Sequence, residues 1–397
     1  MHSILFSSLK NNIFRALTEG AKVRRLFYCT RNIAGLILVI SPLVGFLYID
    51  YNFTLSMVFM CALALGVFLG SACYELLNFR LWTSLASIAS CIGALLLHSD
   101  SGNTPASAVG MCFIGLYAGG LAAIVPANLL TGWFRASKTL LAGAVYGISV
   151  IAGLCIGFFM ERYTYAVVCL CLVMMLTGTI IFLQRPPLFL NSPVQCKDRR
   201  FVCGKRAVTI KLFFFVLAAG FAAGLTLFRP ENDAARNLTT SSDIILALGL
   251  ISGPFAAGLI SEYKSAYGGC ILIIFLAEIS VFNFDGIQAG PALYISSLAC
   301  GMCFSAMVVT IPIAVFYTYG PQGYNSCLPK VWSALPAGLA AACAVRRLSA
   351  DVPAGSSYAI ISPQTASVFL MIMLTACFFT IFSAWRHRFI LLKPTRR

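Results

Sequence analysis

Apolar and polar positions alternate in long blocks along this chain. Runs of roughly twenty apolar residues, the length that crosses a bilayer core as a helix, fall at 32–50, 53–75, 81–98, 107–130, 137–159, 163–184, 209–229, 242–262, 268–284, 290–317, 325–345 and 364–385. The ninth is short, and the eleventh carries Lys330 and Pro336 near its start. Between the runs lie short polar turns. The longest polar interior stretch is 185–208, RPPLFLNSPVQCKDRRFVCGKRAV, rich in proline and basic residues. Six runs precede it and six follow.

The pattern predicts an all-α polytopic membrane protein of twelve transmembrane helices in two six-helix bundles. The expected divisions are a basic cytoplasmic tail at 1–31, a bundle at 32–184, a cytoplasmic linker at 185–208, a bundle at 209–385 and a basic tail at 386–397. No cleavable signal peptide is evident. The first tail has an amphipathic character around Ile4–Leu17 that would suit the membrane surface.

Composition agrees. Charged residues make up 10% of the chain and apolar residues 59%, against about a quarter charged in soluble domains. Lipid must therefore be the solvent for most side chains.

The net charge of +15 raises nucleic acid as a partner, but its distribution points elsewhere. With the N-terminus inside, 23 of the 28 Lys and Arg residues fall on the inner side. The outer side holds only Arg162, Arg229, Arg236, Arg346 and Arg347. A wrong span count would scramble this asymmetry, so it places both termini in the cytoplasm. No nucleic-acid partner is expected. The localisation expected is the inner or plasma membrane, multi-pass.

Enzyme chemistry finds little support. His98, Ser99 and Asp100 are consecutive, which cannot build a catalytic triad, and the remaining histidines are His2 and His387. No Gly-x-x-x-x-Gly-Lys-Ser/Thr phosphate loop is present. The sixteen cysteines are scattered, most in apolar runs, where they act as small hydrophobes. Cys196 and Cys203 lie in a polar segment without nearby histidines, so no metal and no cofactor is expected. Asn52-Phe-Thr54 and Asn237-Leu-Thr239 match the glycosylation pattern, a short match that carries weight only in a eukaryotic secretory setting.

The two halves share a motif. The second run ends Gly66-V-F-L-G-Ser71-A-C-Y-Glu75, and the eighth ends Gly253-P-F-A-A-Gly258-L-I-S-Glu262. In each, a glycine precedes a glutamate by nine residues, and the glutamates stand 187 residues apart.

On these residues the chain resembles the major facilitator superfamily. That family carries a Gly-x-x-x-Asp-Arg-x-Gly-Arg-type loop after its second span and a weaker copy after its eighth. Gly258 to Glu262 is the better match here. The first copy has Ser71 for the glycine and Glu75 for the aspartate, and lacks the following arginine and glycine. Leu130 to Lys138, followed by Gly143, Gly147, Gly153 and Gly157, is similar to the family's fourth span, basic loop and fifth span. The plain role of those glycines is close helix packing.

The resemblance implies a secondary or facilitative transporter working by alternating access. It implies that the second–third loop faces the start of the eleventh span and the eighth–ninth loop the start of the fifth. Glu75 is then expected near Lys330, and Glu262 near Lys138. Helix N-termini carry partial positive charge, so each glutamate either closes a cytoplasmic gate or only marks an interface.

The family's cavity is lined by its first, fourth, seventh and tenth spans. The substrate-binding candidates are therefore Tyr48, Asp50, Asn128, Thr131, Arg229, Tyr294 and Thr310. Asp50 and Arg229 either pair as an outer gate or snorkel separately to the interface. Pro126 and Pro312 would free backbone groups locally.

Glu278 is the one acid expected inside the bilayer, near mid-depth on the ninth span. It is either a proton-coupling residue or a packed structural acid, since the family's ninth span lies peripherally. The walls so inferred are weakly charged, which fits a small neutral or amphipathic solute, with a proton as the coupling partner if Glu278 serves. The rival reading is a membrane sensor or scaffold that keeps the fold without transport. Oligomeric state is not legible, because lipid-facing and helix-facing leucines look alike.

Overall fold

The computed structural model describes residues 30–31, 33–42, 44, 53–76, 79–99, 105–128, 138–160, 163–182, 202–227, 236–263, 266–281 and 291–350, together with 370–371, 373–379 and 381–382. They form twelve helical elements: α1 (Ile33–Pro42 in its described core), α2 (Phe53–Leu76), α3 (Phe79–Ser99), α4 (Pro105–Asn128), α5 (Lys138–Met160), α6 (Thr164–Phe182), α7 (Val202–Leu227), α8 (Arg236–Tyr263), α9 (Ala266–Val281), α10 (Pro291–Trp332), α11 (Ala334–Ala350) and α12 (within 370–382). Among the described residues there is no strand.

Why helices form here is simple. A bilayer core offers backbone groups no water, so each span must bond to itself. Buried hydroxyls follow the same rule and donate to the carbonyl one turn back, as Ser41 does to Ile37 (2.6 Å), Ser87 to Thr83 (2.7 Å) and Ser149 to Val145 (2.7 Å). Proline opens α4 and α10 at their first helical residue, where its missing N–H costs nothing. At 1.5 Å per residue the apolar part of α5, Thr139–Phe159, is about 30 Å long, enough to cross.

Packing repeats between the halves. In the N-terminal half α2 lies against α4 through glycines. A Cβ on Gly66 would stand 2.3 Å from the Leu116 carbonyl oxygen, and one on Gly119 only 2.1 Å from that of Leu63. In the C-terminal half α8 meets α10 in the same way. A Cβ on Gly249 would stand 2.4 Å from the Leu298 carbonyl oxygen, and one on Gly253 2.5 Å from that of Met302. Gly66 and Gly253 are the two glycines of the repeated motif, so the sequence repeat is a repeated crossing. Likewise Gly153 of α5 meets Ser41 and Val44 beside α1, and Gly224 and Gly338 bring α7 against α11. These contacts leave no room for a side chain, which explains small residues at those positions.

Boundaries differ from the sequence reading at α7, at the start of α8, which begins at Arg236, and at the junction of α10 and α11. α7 begins at Val202, inside the stretch read as linker. α10 does not stop near residue 317 but stays helical to Trp332, through the expected loop. It is not straight there. The rings of Phe316 and Tyr324 lie 6.0 Å apart, whereas eight residues of straight helix rise about 12 Å. Gly320, Pro321 and Gly323 sit at this bend, and such residues are the usual cause of kinks. Side-chain bonds tie the bend to its neighbours. Tyr319 bonds Thr209 of α7, and Tyr267 of α9 bonds Thr318 at 3.1 Å.

Candidate functional site

The two halves meet along α5 and α8, with further packing of α11 on α2 and of α10 on α2, α4 and α5. The α5–α8 seam is the best described. It lies at the start of α5 and the end of α8, on the side assigned to the cytoplasm by charge.

Its centre is two glycines. A Cβ on Gly143 would stand 2.3 Å from the Pro254 carbonyl oxygen and 3.0 Å from the Gly258 Cα. A Cβ on Gly258 would stand 2.7 Å from the Thr139 carbonyl oxygen. The helices therefore touch backbone to backbone. Pro254 lies inside α8, where its ring displaces the usual helical hydrogen bond. One turn along, the Phe255 ring covers Gly147, filling the place of a side chain at 2.2 Å from the Cβ position.

At the cytoplasmic end the seam is capped electrostatically. A carboxylate oxygen of Glu262, on α8, accepts the backbone N–H of Thr139 at 3.3 Å and also the Thr139 hydroxyl. Thr139 is the second residue of α5, so its N–H is one of those left without an intrahelical partner. A carboxylate of one half thus performs the capping and dipole-neutralising role for a helix of the other. Thr139 is buried and Glu262 is exposed, so the bond is half-solvated and of moderate strength.

The remaining predicted residues distribute as follows. Tyr48, Asp50, Thr131 and Arg229 lie outside the described residues. Glu75, Asn128 and Lys138 stand on α2, at the end of α4 and at the start of α5, with side chains outside the described set. Lys330 is exposed in the last turn of α10. Tyr294 is half-buried in the first turn of α10. Thr310 is fully buried within the C-terminal half. It packs with Ser261 of α8 against Gly269 of α9, at 3.0 Å and 2.9 Å from the Cβ position there. Neither hydroxyl finds a hydrogen-bond partner among the described residues. Glu278 is half-buried on α9, whose packing is against α7, α8 and α10 of its own half.

Sequence reasoning missed Thr139 and Phe255. The signal for Thr139 was present, since a threonine in the first turn after a basic loop is a capping-type residue. Phe255 gave none, because a phenylalanine facing a glycine across an interface looks like any lipid-facing phenylalanine.

No family model matches the chain, and no curated protein matches it either. Solved structures do. The chain is similar to a major facilitator superfamily transporter, FucP, in its outward conformation, at 12% identity and TM-score 0.62, over 91% of this chain and 98% of that one. It is similar to a variant of the E. coli fucose:proton symporter at 14% identity and TM-score 0.57, over 92% and 98%. It is also similar to the human organic anion transporter MFSD10 at 12% identity and TM-score 0.52, over 93% and 99%.

Proposed function

Because the chain has the major facilitator superfamily fold, twelve helices in two halves that span the membrane, we propose that it is a transporter. In this reading it is a secondary or facilitative carrier in a cell membrane. It moves a small, neutral or amphipathic solute between the halves by alternating access.

The observation that carries the reading is the α5–α8 seam. A carrier needs two halves that close tightly on one side and part without unfolding. Gly143 against Gly258 gives a close contact with no interlocked side chains, and Glu262 on Thr139 gives a latch that water can replace. We read this structure as the state closed to the cytoplasm. The similarity to a transporter in its outward conformation supports that reading. Lys138, Glu75 and Lys330 remain the other residues proposed for the cytoplasmic gate. Tyr48, Asp50, Asn128, Thr131, Arg229 and Tyr294 remain the residues proposed to meet solute. The reading assigns Thr310 to packing in the C-terminal half, away from the solute path. It gives Glu278 no place on that path either, since α9 stands off the seam between halves.

The test is a thermal-shift screen of purified protein against neutral and amphipathic solutes, followed by flux of each hit into proteoliposomes. A ligand raises Tm by mass action. Flux of a hit that is lost in a Gly143→Val variant supports the carrier reading. Well-folded protein that binds a solute but passes none would sink it and favour a sensor that keeps the fold.

A further inference from the structure

Two buried thiols of α10 point at backbone. Cys300 directs its S–H at the Ala223 carbonyl at 3.4 Å, and Cys303 directs its own at the Ile273 carbonyl at 3.7 Å. Cys91, on α3, does something different. Its S–H is aimed at another sulfur, the Met175 Sδ of α6, at 3.9 Å. Cys171 stands one turn before Met175, so the two side chains share a face of α6. Its thiol is a near neighbour of Cys91. Cys91 is 2% exposed, and Cys171 and Met175 are fully buried. Both cysteines are free thiols. The packing of α3 on α6 therefore gathers three sulfurs in an apolar core. Spacing along the chain gives no sign of it, because Cys91 and Cys171 are 80 residues apart.

The donor set narrows the ligand. Thiol and thioether sulfurs are soft donors, and they select soft ions such as copper(I). Harder divalent ions find nothing comparable, since among the described residues no three His, Cys, Asp or Glu side chains are grouped to hold a metal. The 3.9 Å separation also suits the ion. With metal–sulfur bonds of about 2.3 Å, sulfurs that far apart subtend roughly 115° at the metal, near the ~120° of a three-coordinate centre. Charge favours a monovalent ion. One thiolate neutralises it, whereas a net charge left in this apolar core would be costly.

We propose that Cys91, Cys171 and Met175 form a site for a soft monovalent cation, copper(I), which staples α3 to α6. The ion takes the place of the proton that Cys91 directs at Met175. The S–H bond breaks, a copper–sulfur bond forms, and the proton leaves to solvent. Copper stays in its monovalent state throughout, and Cys171 contributes a lone pair as a neutral thiol. The site lies inside the N-terminal half, away from the α5–α8 seam, and rests on no transport step.

Copper(I) buffered by the chelator bicinchoninate tests it on the full chain in lipid nanodiscs. Excess glutathione keeps exposed thiols such as Cys61, Cys155 and Cys169 from competing. One equivalent of copper(I) is expected to bind tightly, with release of about one proton and, by X-ray absorption, a three-sulfur shell at about 2.3 Å. Cys91→Ala and Cys171→Ala should each weaken binding by at least about a hundredfold. Met175→Leu keeps the volume of the side chain, so it should fold, weaken binding by about tenfold and leave a two-sulfur shell. Cys303→Ala should leave the tight equivalent unchanged. The Tm of each variant without copper shows that it folds. No tight equivalent in the wild-type chain, or one that survives Cys91→Ala and Cys171→Ala together, overturns the site. Unchanged affinity and shell in Met175→Leu overturns the three-sulfur arrangement.

Discussion

Two glycine crossings of nearly equal closeness sit in different parts of this molecule. Within the N-terminal half, a Cβ on Gly119 would stand 2.1 Å from the Leu63 carbonyl oxygen. Between the halves, a Cβ on Gly143 would stand 2.3 Å from that of Pro254. The chemistry is the same, but the surroundings differ. The α2–α4 crossing is one of a set that holds six helices together, and its counterpart at α8–α10 does the same for the other six. The α5–α8 crossing has a capping bond at its cytoplasmic end and one aromatic ring laid across it. On the proposed reading, a crossing inside a half supports stability, whereas a crossing between halves sets how the proposed closed–open equilibrium is poised.

The largest expected effect comes from spoiling the inner crossing. Gly119→Val forces two backbones apart with nowhere to go, an overpacking of roughly 1–3 kcal/mol or more. Tm of the purified protein should fall by roughly 3–10 °C. Gly143→Val should cost much less stability, because the halves can part to relieve it. Its signature is instead faster amide exchange in the first turns of α5, by about tenfold, with Tm within roughly 3 °C of wild type. Equal Tm losses in the two variants would erase the distinction.

Next comes the latch. Glu262→Gln removes the charge but keeps an acceptor for Thr139. Half-solvated capping bonds of this kind contribute about 1 kcal/mol, so exchange in the first turn of α5 should rise roughly fivefold. Thr139→Val keeps the backbone N–H and loses only the hydroxyl, so its effect should be smaller. Phe255→Leu is expected to matter least. Leucine still covers Gly147 and changes the closed state by under about 1 kcal/mol, an increase in exchange of twofold or so.

Much of this was legible beforehand. Twelve apolar runs and one-sided basic residues carry the span count and the two-half layout, because a bilayer permits few alternatives. The motif repeated from Gly66 and Gly253 marks an equivalent crossing in each half. The α10 bend was not legible. Gly320, Pro321 and Gly323 look like a loop, whereas the segment is helical and side-chain bonds at Tyr319 and Thr318 hold it against α7 and α9. At the seam, Gly143 and Gly258 are readable as small residues, but nothing in a sequence says that they face each other. Thr310 shows the same limit. A threonine on a cavity-lining span and one packed against Gly269 have the same letters around them.

The central claim is that the two halves part at α5–α8 while each half keeps its own crossings. Hydrogen–deuterium exchange of the wild-type chain in nanodiscs addresses it directly, following one peptide across Thr139 to Gly147 and another across Gly115 to Gly119. The account predicts that the first exchanges through an opening at least about 2 kcal/mol easier than the second, roughly thirtyfold in rate. It further predicts that a bound solute changes only the first. Identical exchange at both crossings, or a ligand that shifts both together, would contradict it.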